Sequence, residues 1–143
     1  MEELSKKERV QKYGEVFTPQ HIVEQMCDSL DTESGGTAFD VAKTFLEPTC
    51  GDGVFVLEIL RRKFKRCQKR EDYTRALLSV WGMDIQERNV TSTITNVEAL
   101  CREYFRPTKK ELEIISDHII MCDSLKVMRM MNELNEREKE NNA

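Results

Sequence analysis

The sequence predicts an α/β fold in which parallel strands alternate with helices, and three observations carry that expectation. A short apolar run, Thr44-Phe45-Leu46-Glu47, leads through a turn with two glycines one residue apart, Gly51 and Gly53, into a helical pattern. A second apolar run, Ser79 to Ile85, ends on an acid at Asp84. A third, His118 to Cys122, is followed at once by Asp123-Ser124. Each run has strand length, and the stretches between them repeat with helical period. The order β-α-β-α-β implies a parallel sheet with helices packed against it. A chain of 143 residues suits one such domain.

Residues 1–12 are polar and mixed in charge, and read as a flexible N-terminus. Thr18 is a good N-cap and Pro19 suits a first helical position. The helix behind them places Ile22, Val23, Met26 and Leu30 on one face. Residues 31–40, with Ser34-Gly35-Gly36-Thr37, read as a loop, and the first strand is expected over roughly 43–47. After the glycine turn, Val56, Leu57, Leu60 and Phe64 form a core-facing stripe. The basic run from Arg61 to Arg70 reads as a solvated helix end that complements the dipole. Residues 71–78 extend that helix or form another. The next helix carries Val90, Ile94, Val97, Cys101 and Tyr104 at spacings of three and four. Pro107 breaks the chain, and Thr108 with Glu111 forms a capping box opening a short helix. His118 falls at the start of the third strand and takes no chemical role. The last helix carries Leu125, Met128, Met131 and Leu134, a packing stripe, and dissolves into the charged run Asn135 to Asn142. The domain is expected over 13–126, with 127–143 as a charged C-terminal helix or tail.

Composition narrows the function. The net charge of −4 does not mark a nucleic-acid binder. Five scattered cysteines and two histidines, with no Cys-x-x-Cys, make no metal-ligand cluster. They fit small buried thiols in a reducing cytosol, so a cytoplasmic location is expected. No signal peptide or long apolar run appears, and no membrane association is expected.

The glycine turn is the informative stretch. Glycine lets the backbone approach a ligand closely and tolerates unusual dihedrals. Glu47, at the end of the strand, suits ligand hydroxyls or an amine and would repel a phosphate. The turn therefore reads as a pocket for a phosphate-free nucleoside; a tight strand-to-helix connection without a ligand is the alternative. Asp84, an acid at the end of the following strand, sits where such folds hold ribose hydroxyls.

Four patterns together resemble the S-adenosylmethionine-dependent methyltransferases, and more narrowly the DNA adenine-N6 methyltransferases of restriction-modification systems. They are Gly14-Glu15-Val16-Phe17-Thr18-Pro19, the segment Glu47-Pro48-Thr49-Cys50-Gly51-Asp52-Gly53-Val54-Phe55, Gly82-Met83-Asp84-Ile85, and Cys122-Asp123-Ser124-Leu125. The resemblance implies a Rossmann-like three-layer α/β/α arrangement, here a partial methyltransferase fold with about three parallel strands and an N-terminal helix. It implies that Phe17, Thr18 and Pro19 contact the methionine part of S-adenosyl-L-methionine. Glu47, Cys50, Gly51, Gly53 and Phe55 would belong to the turn around the cofactor. Asp84 would accept from the ribose hydroxyls and Ile85 would pack on the adenine. Asp123 would accept from the adenine amino group, with Ser124 and Leu125 beside the ring; an N-cap role explains Asp123 equally well.

The family's catalytic Asn/Asp-Pro-Pro-Tyr/Phe sequence is absent, since no Pro-Pro occurs and the last proline is Pro107. No catalytic and no metal-binding residue is therefore assigned. The parts that would hold a flipped adenine are missing. The expectation is a cofactor-binding portion that is inactive alone. It would be completed by a catalytic and DNA-recognition partner polypeptide or by a homo-oligomer, and would meet DNA only indirectly. The alternative is a non-catalytic binding or regulatory protein, paired with itself across a free edge at the first strand.

Overall fold

The three apolar runs form the sheet. A computed structural model describes residues 18–48 and 50–142; the expectations placed on 1–12, on Phe17 and on Thr49 fall outside them. In chain order the elements are α1 (Gln20–Glu33), β1 (Phe45–Glu47), α2 (Val54–Arg66), α3 (Arg70–Ser79), β2 (Val80–Asp84), α4 (Glu87–Tyr104), α5 (Lys109–His118), β3 (Ile119–Met121) and α6 (Ser124–Asn141). The fold is α/β: among the described residues, six helices accompany a three-stranded, all-parallel sheet of order β1-β2-β3. Phe45 lies opposite Val80, and Gly82 opposite Ile119. The core gathers Val56, Leu60 and Phe64 of α2, Leu77 of α3, Val97 and Cys101 of α4, and Ile115 of α5 against Val80 and Ile119. These are the apolar stripes the helical spacing marks, joined by the sheet.

Several boundaries differ from the sequence reading, each for a local reason. The N-cap of α1 is Pro19, not Thr18; its carbonyl accepts from the Ile22 and Val23 N–H groups at 3.0 and 3.1 Å. Helix α1 runs on to Glu33, so the loop begins only at Ser34. Cys67 takes an extended conformation and ends α2, which makes 70–79 a separate helix. His118 closes α5 rather than opening β3, stacks on Trp81 at 3.6 Å, and its Nδ1 lies 3.1 Å from the Val80 carbonyl. The charged run after Asn135 stays helical to Asn141.

The basic run at the end of α2 is solvated only in part: Lys65, Lys69 and Arg70 are exposed, while others turn inward. Lys63 is fully buried, and its ammonium donates to the carbonyls of Asp40, Val41 and Lys43. Burial pushes its pKa down to about 8, with Asp40 pulling the other way. Arg66 pairs with Asp31 and Asp40 at 3.1 and 2.9 Å. These cations tie α1 and the loop before β1 to α2, using carbonyls and acids that only the fold brings near.

The contacts between α1 and α2 also fix their relative direction. Gln20 donates to Glu58 at 3.3 Å, Arg62 reaches the Glu24 carbonyl and Asp28, and Arg66 reaches Asp31. Both residue numbers rise together along the pair, so the helices run parallel. The start of α1, with Thr18 and Pro19, lies beside the start of α2.

Apolar side chains stay exposed on several elements, among them Met26 and Leu30 of α1, which the helical spacing had put on its packing face. Leu46 on edge strand β1 is exposed, and no side chain of α6 is buried, so Leu125, Met128, Met131 and Leu134 face outward.

The capping box of α5 is part of a clasp. Thr108 Oγ1 accepts from the Glu111 N–H at 3.1 Å, while Glu111 accepts from the Thr108 N–H at 2.8 Å. Glu111 also accepts from Arg70 twice and from Thr74, which joins α5 to α3. The Arg70 guanidinium, above all, holds the Glu111 carboxyl down at about 2, against an ordinary value of 4.5. A depressed carboxyl contributes stability that is present above its unfolded pKa and lost as pH falls through its folded one. Allowing for the half-exposed Arg70, the contribution is about 2–3 kcal/mol. Denaturant titrations from pH 7 to pH 2 are expected to show this loss between about pH 4.5 and 2. Glu111→Gln is expected to be destabilised by that amount at pH 7 and to lose that part of the pH dependence.

Candidate functional site at the C-terminal edge of the sheet

Because all three strands are parallel, the connections after them emerge at one edge. These are residues 48 and 50–53 after β1, Ile85 and Gln86 after β2, and Cys122 and Asp123 after β3. The ladder continues past the strands: the Cys50 N–H donates to the Met83 carbonyl at 2.7 Å, and the Cys122 N–H to the Asp84 carbonyl at 3.0 Å.

Gly51 and Gly53 have φ of +54° and +93°, the left-handed region that other residues avoid. Gly53 is the N-cap of α2. A Cβ on Gly53 would lie 2.9 Å from Thr93 Cγ2, whereas one on Gly51 would meet nothing within 4 Å. The N–H of Gly51 donates to Asp84 Oδ2 at 3.0 Å, and that of Gly53 to the Cys50 carbonyl at 2.8 Å. The amides of residues 50, 51 and 53 thus all bond within the protein, so they form no phosphate cradle.

Asp84 is only 4% exposed. Its Oδ1 accepts from the Gln86 N–H at 2.9 Å and from Asn89 Nδ2 at 3.1 Å, while Oδ2 takes the Gly51 N–H. Three donors offset the cost of burying the carboxylate. Asp84 therefore ties the turn after β1 to the end of β2.

The other sequence-predicted positions gather at the same edge. Ile85 is 67% exposed and Leu125 63%, large apolar side chains just beyond adjacent strands. Asp123 is the N-cap of α6, its Oδ1 accepting from the Leu125 and Lys126 N–H groups at 3.1 and 3.4 Å. Glu47 and Ser124 are half-buried. Cys50 is buried, and desolvation pushes its thiol up to about 11 despite a hydrogen bond with Thr93, so it is a neutral wall rather than a nucleophile. Phe55, in the first turn of α2, is half-buried and packs against the core. Thr18 and Pro19 lie at this end as well. Gln20 meets Glu58 five residues past Gly53, about 8 Å along the axis.

The sequence reading missed the residues behind the turn. Asn89, Thr93 and Asn96 lie on one side of α4 at i, i+4 and i+7, beside the apolar stripe. Asn89 bonds Asp84, Thr93 Oγ1 donates to the Gly51 carbonyl at 3.0 Å, and Asn96 Nδ2 donates to the Asp52 carbonyl at 3.1 Å. Polar residues repeated at helical spacing next to a buried stripe were the available signal.

A cleft of about 750 Å³ opens elsewhere, between α1 and α2, among Glu24, Asp28, Glu58, Arg61 and Arg62. Its charges pair with one another, Arg61 and Arg62 to Glu58 and Arg62 to Asp28, so it reads as a packing seam. Among the described residues no cluster suits a metal ion, and no helix is long and apolar enough to cross a membrane.

Comparison with protein-family models, curated proteins and solved structures gave no match. The functional reading rests on the geometry of this edge.

The two glycines separate strain from overlap. Gly53→Ala combines a left-handed φ with the Thr93 contact and is expected to cost about 2–4 kcal/mol. Gly51→Ala, strained but unobstructed, is expected to cost about 1 kcal/mol. Thermal melts of the two variants measure the difference.

Proposed function

We propose that this chain is the S-adenosyl-L-methionine-binding portion of a DNA adenine-N6 methyltransferase of the restriction-modification type. It is inactive alone and is completed by a partner that supplies catalysis and DNA recognition. The observation that carries the reading is convergence. Four sequence segments, separated by up to about a hundred residues, resemble the family's cofactor motifs, and Glu47, Gly51, Gly53, Asp84, Ile85, Asp123 and Leu125 from three of them lie at or just beyond the C-terminal ends of the strands. Ligands of open α/β sheets bind at that edge.

In this reading Ile85 and Leu125 close on the two sides of the adenine, and the Oδ2 of Asp123 faces its amino group. Glu47 lies toward the cationic sulfonium, with Thr18 and Pro19 around the methionine part. Cys50 supplies a neutral wall, and Gly51 and Gly53 let the backbone approach. Asp84 offers a ribose hydroxyl the remaining acceptor position on Oδ2. The bound cofactor would supply an activated methyl group; this chain's residues bind and orient it. The uncovered edge at Leu46 and the outward face of α6 support a partner chain or a second copy, through which DNA is met.

A second reading, a non-catalytic methyltransferase-like binding protein, has one observation in its favour. The Asp84 carboxylate is buried and already accepts three hydrogen bonds.

Calorimetric titration with S-adenosylmethionine tests the proposal. The expected result is saturable heat, and at least tenfold weaker binding for Ile85→Asp, because an exposed apolar side chain buried on a ligand contributes about 1.5–3 kcal/mol. Ile85 is exposed, so its variant keeps the fold. Absence of heat at about 1 mM ligand would overturn the cofactor reading and leave the binding-protein reading standing.

A further inference from the structure

We propose that Thr93 is the positioning residue of this edge. With Asn89 and Asn96 it holds the glycine turn, from the side away from the ligand, in the conformation that receives the nucleoside. The inference rests on the nucleoside reading above and adds a residue that touches no ligand.

Thr93 is completely buried in the middle of α4, where an aliphatic side chain would pack as well and need no partner. Its side chain meets both glycines of the turn. The hydroxyl donates to the Gly51 carbonyl at 3.0 Å, and the methyl occupies the space where a Cβ on Gly53 would stand. One turn earlier Asn89 fixes the Asp84 carboxylate, which holds the Gly51 N–H; one turn later Asn96 holds the Asp52 carbonyl. Both sides of the Gly51 residue are thereby fixed, its N–H by Asp84 and its C=O by Thr93. Since a trans peptide sets its C=O and N–H on opposite sides, the Gly51 carbonyl directed at Thr93 turns the Asp52 N–H away from α4. A two-glycine turn left to itself samples many conformations, and ordering it on binding lowers affinity. The α4 row removes that loss in advance.

The test separates hydroxyl from bulk. Thr93→Val keeps the branched shape and removes the hydroxyl; Thr93→Ser keeps the hydroxyl and removes the methyl. Two readouts are taken where both variants are fully folded: amide hydrogen exchange of residues 51–53 without ligand, and the calorimetric affinity for S-adenosylmethionine. For Thr93→Val, exchange at 51–53 is expected to quicken and affinity to fall, each about tenfold, the scale of one lost hydrogen bond. Thr93→Ser is expected to keep both near wild type even though its melting temperature falls. A valine variant that matches wild type in both readouts, or effects that follow melting temperature instead of the hydroxyl, would overturn the positioning role. A wild-type chain that binds no S-adenosylmethionine would overturn the nucleoside reading, while the ligand-free exchange still decides whether Thr93 holds the turn.

Discussion

The hydrogen bond from the Gly51 N–H to the Asp84 carboxylate, 3.0 Å long, is the contact on which the C-terminal edge depends. It links the turn after β1 to the end of β2 through an atom pair that neither segment could satisfy alone. Asp84 is buried, so it needs donors; the left-handed Gly51 places a donor there. The other donors, Gln86 and Asn89, come from the start of α4. One carboxylate thus sets the relation of β1, β2 and α4. The same economy limits the site: most of the acceptor capacity of Asp84 is already in use.

The opposite end of the sheet is organised by cations. Lys63 gathers three carbonyls before β1, and Arg66 draws in Asp31 and Asp40. Together with Glu58 and Arg62 they lay α1 parallel to α2, which brings the start of α1 to the N-terminal half of α2. Charge therefore works here as internal structure, although the helix surface reads as solvent-facing in the sequence.

Much of the fold was legible because its signals are local. Periodicity marks Val56, Leu60 and Phe64, and the Thr108–Glu111 box is spelled out within four residues. The convergence of Glu47, the glycines, Asp84 and Asp123 followed from parallel strand order alone. The fates of Lys63 and Thr93 were not legible, since their hydrogen-bond partners lie 20 to 43 residues away and are mostly backbone carbonyls, which carry no side-chain signature. Thr18 was misplaced as a cap by a single residue, the usual precision of helix ends.

The central claim is that the nucleoside lies across the ends of β1, β2 and β3. Amide and methyl NMR spectra of the labelled chain, titrated with S-adenosylmethionine, test it directly. The expected result is shifts that saturate together at Gly51, Gly53, Ile85 and Leu125, with Glu24, Asp28 and Arg61 in the α1–α2 cleft unmoved. Shifts confined to that cleft, or none at millimolar ligand, would contradict it.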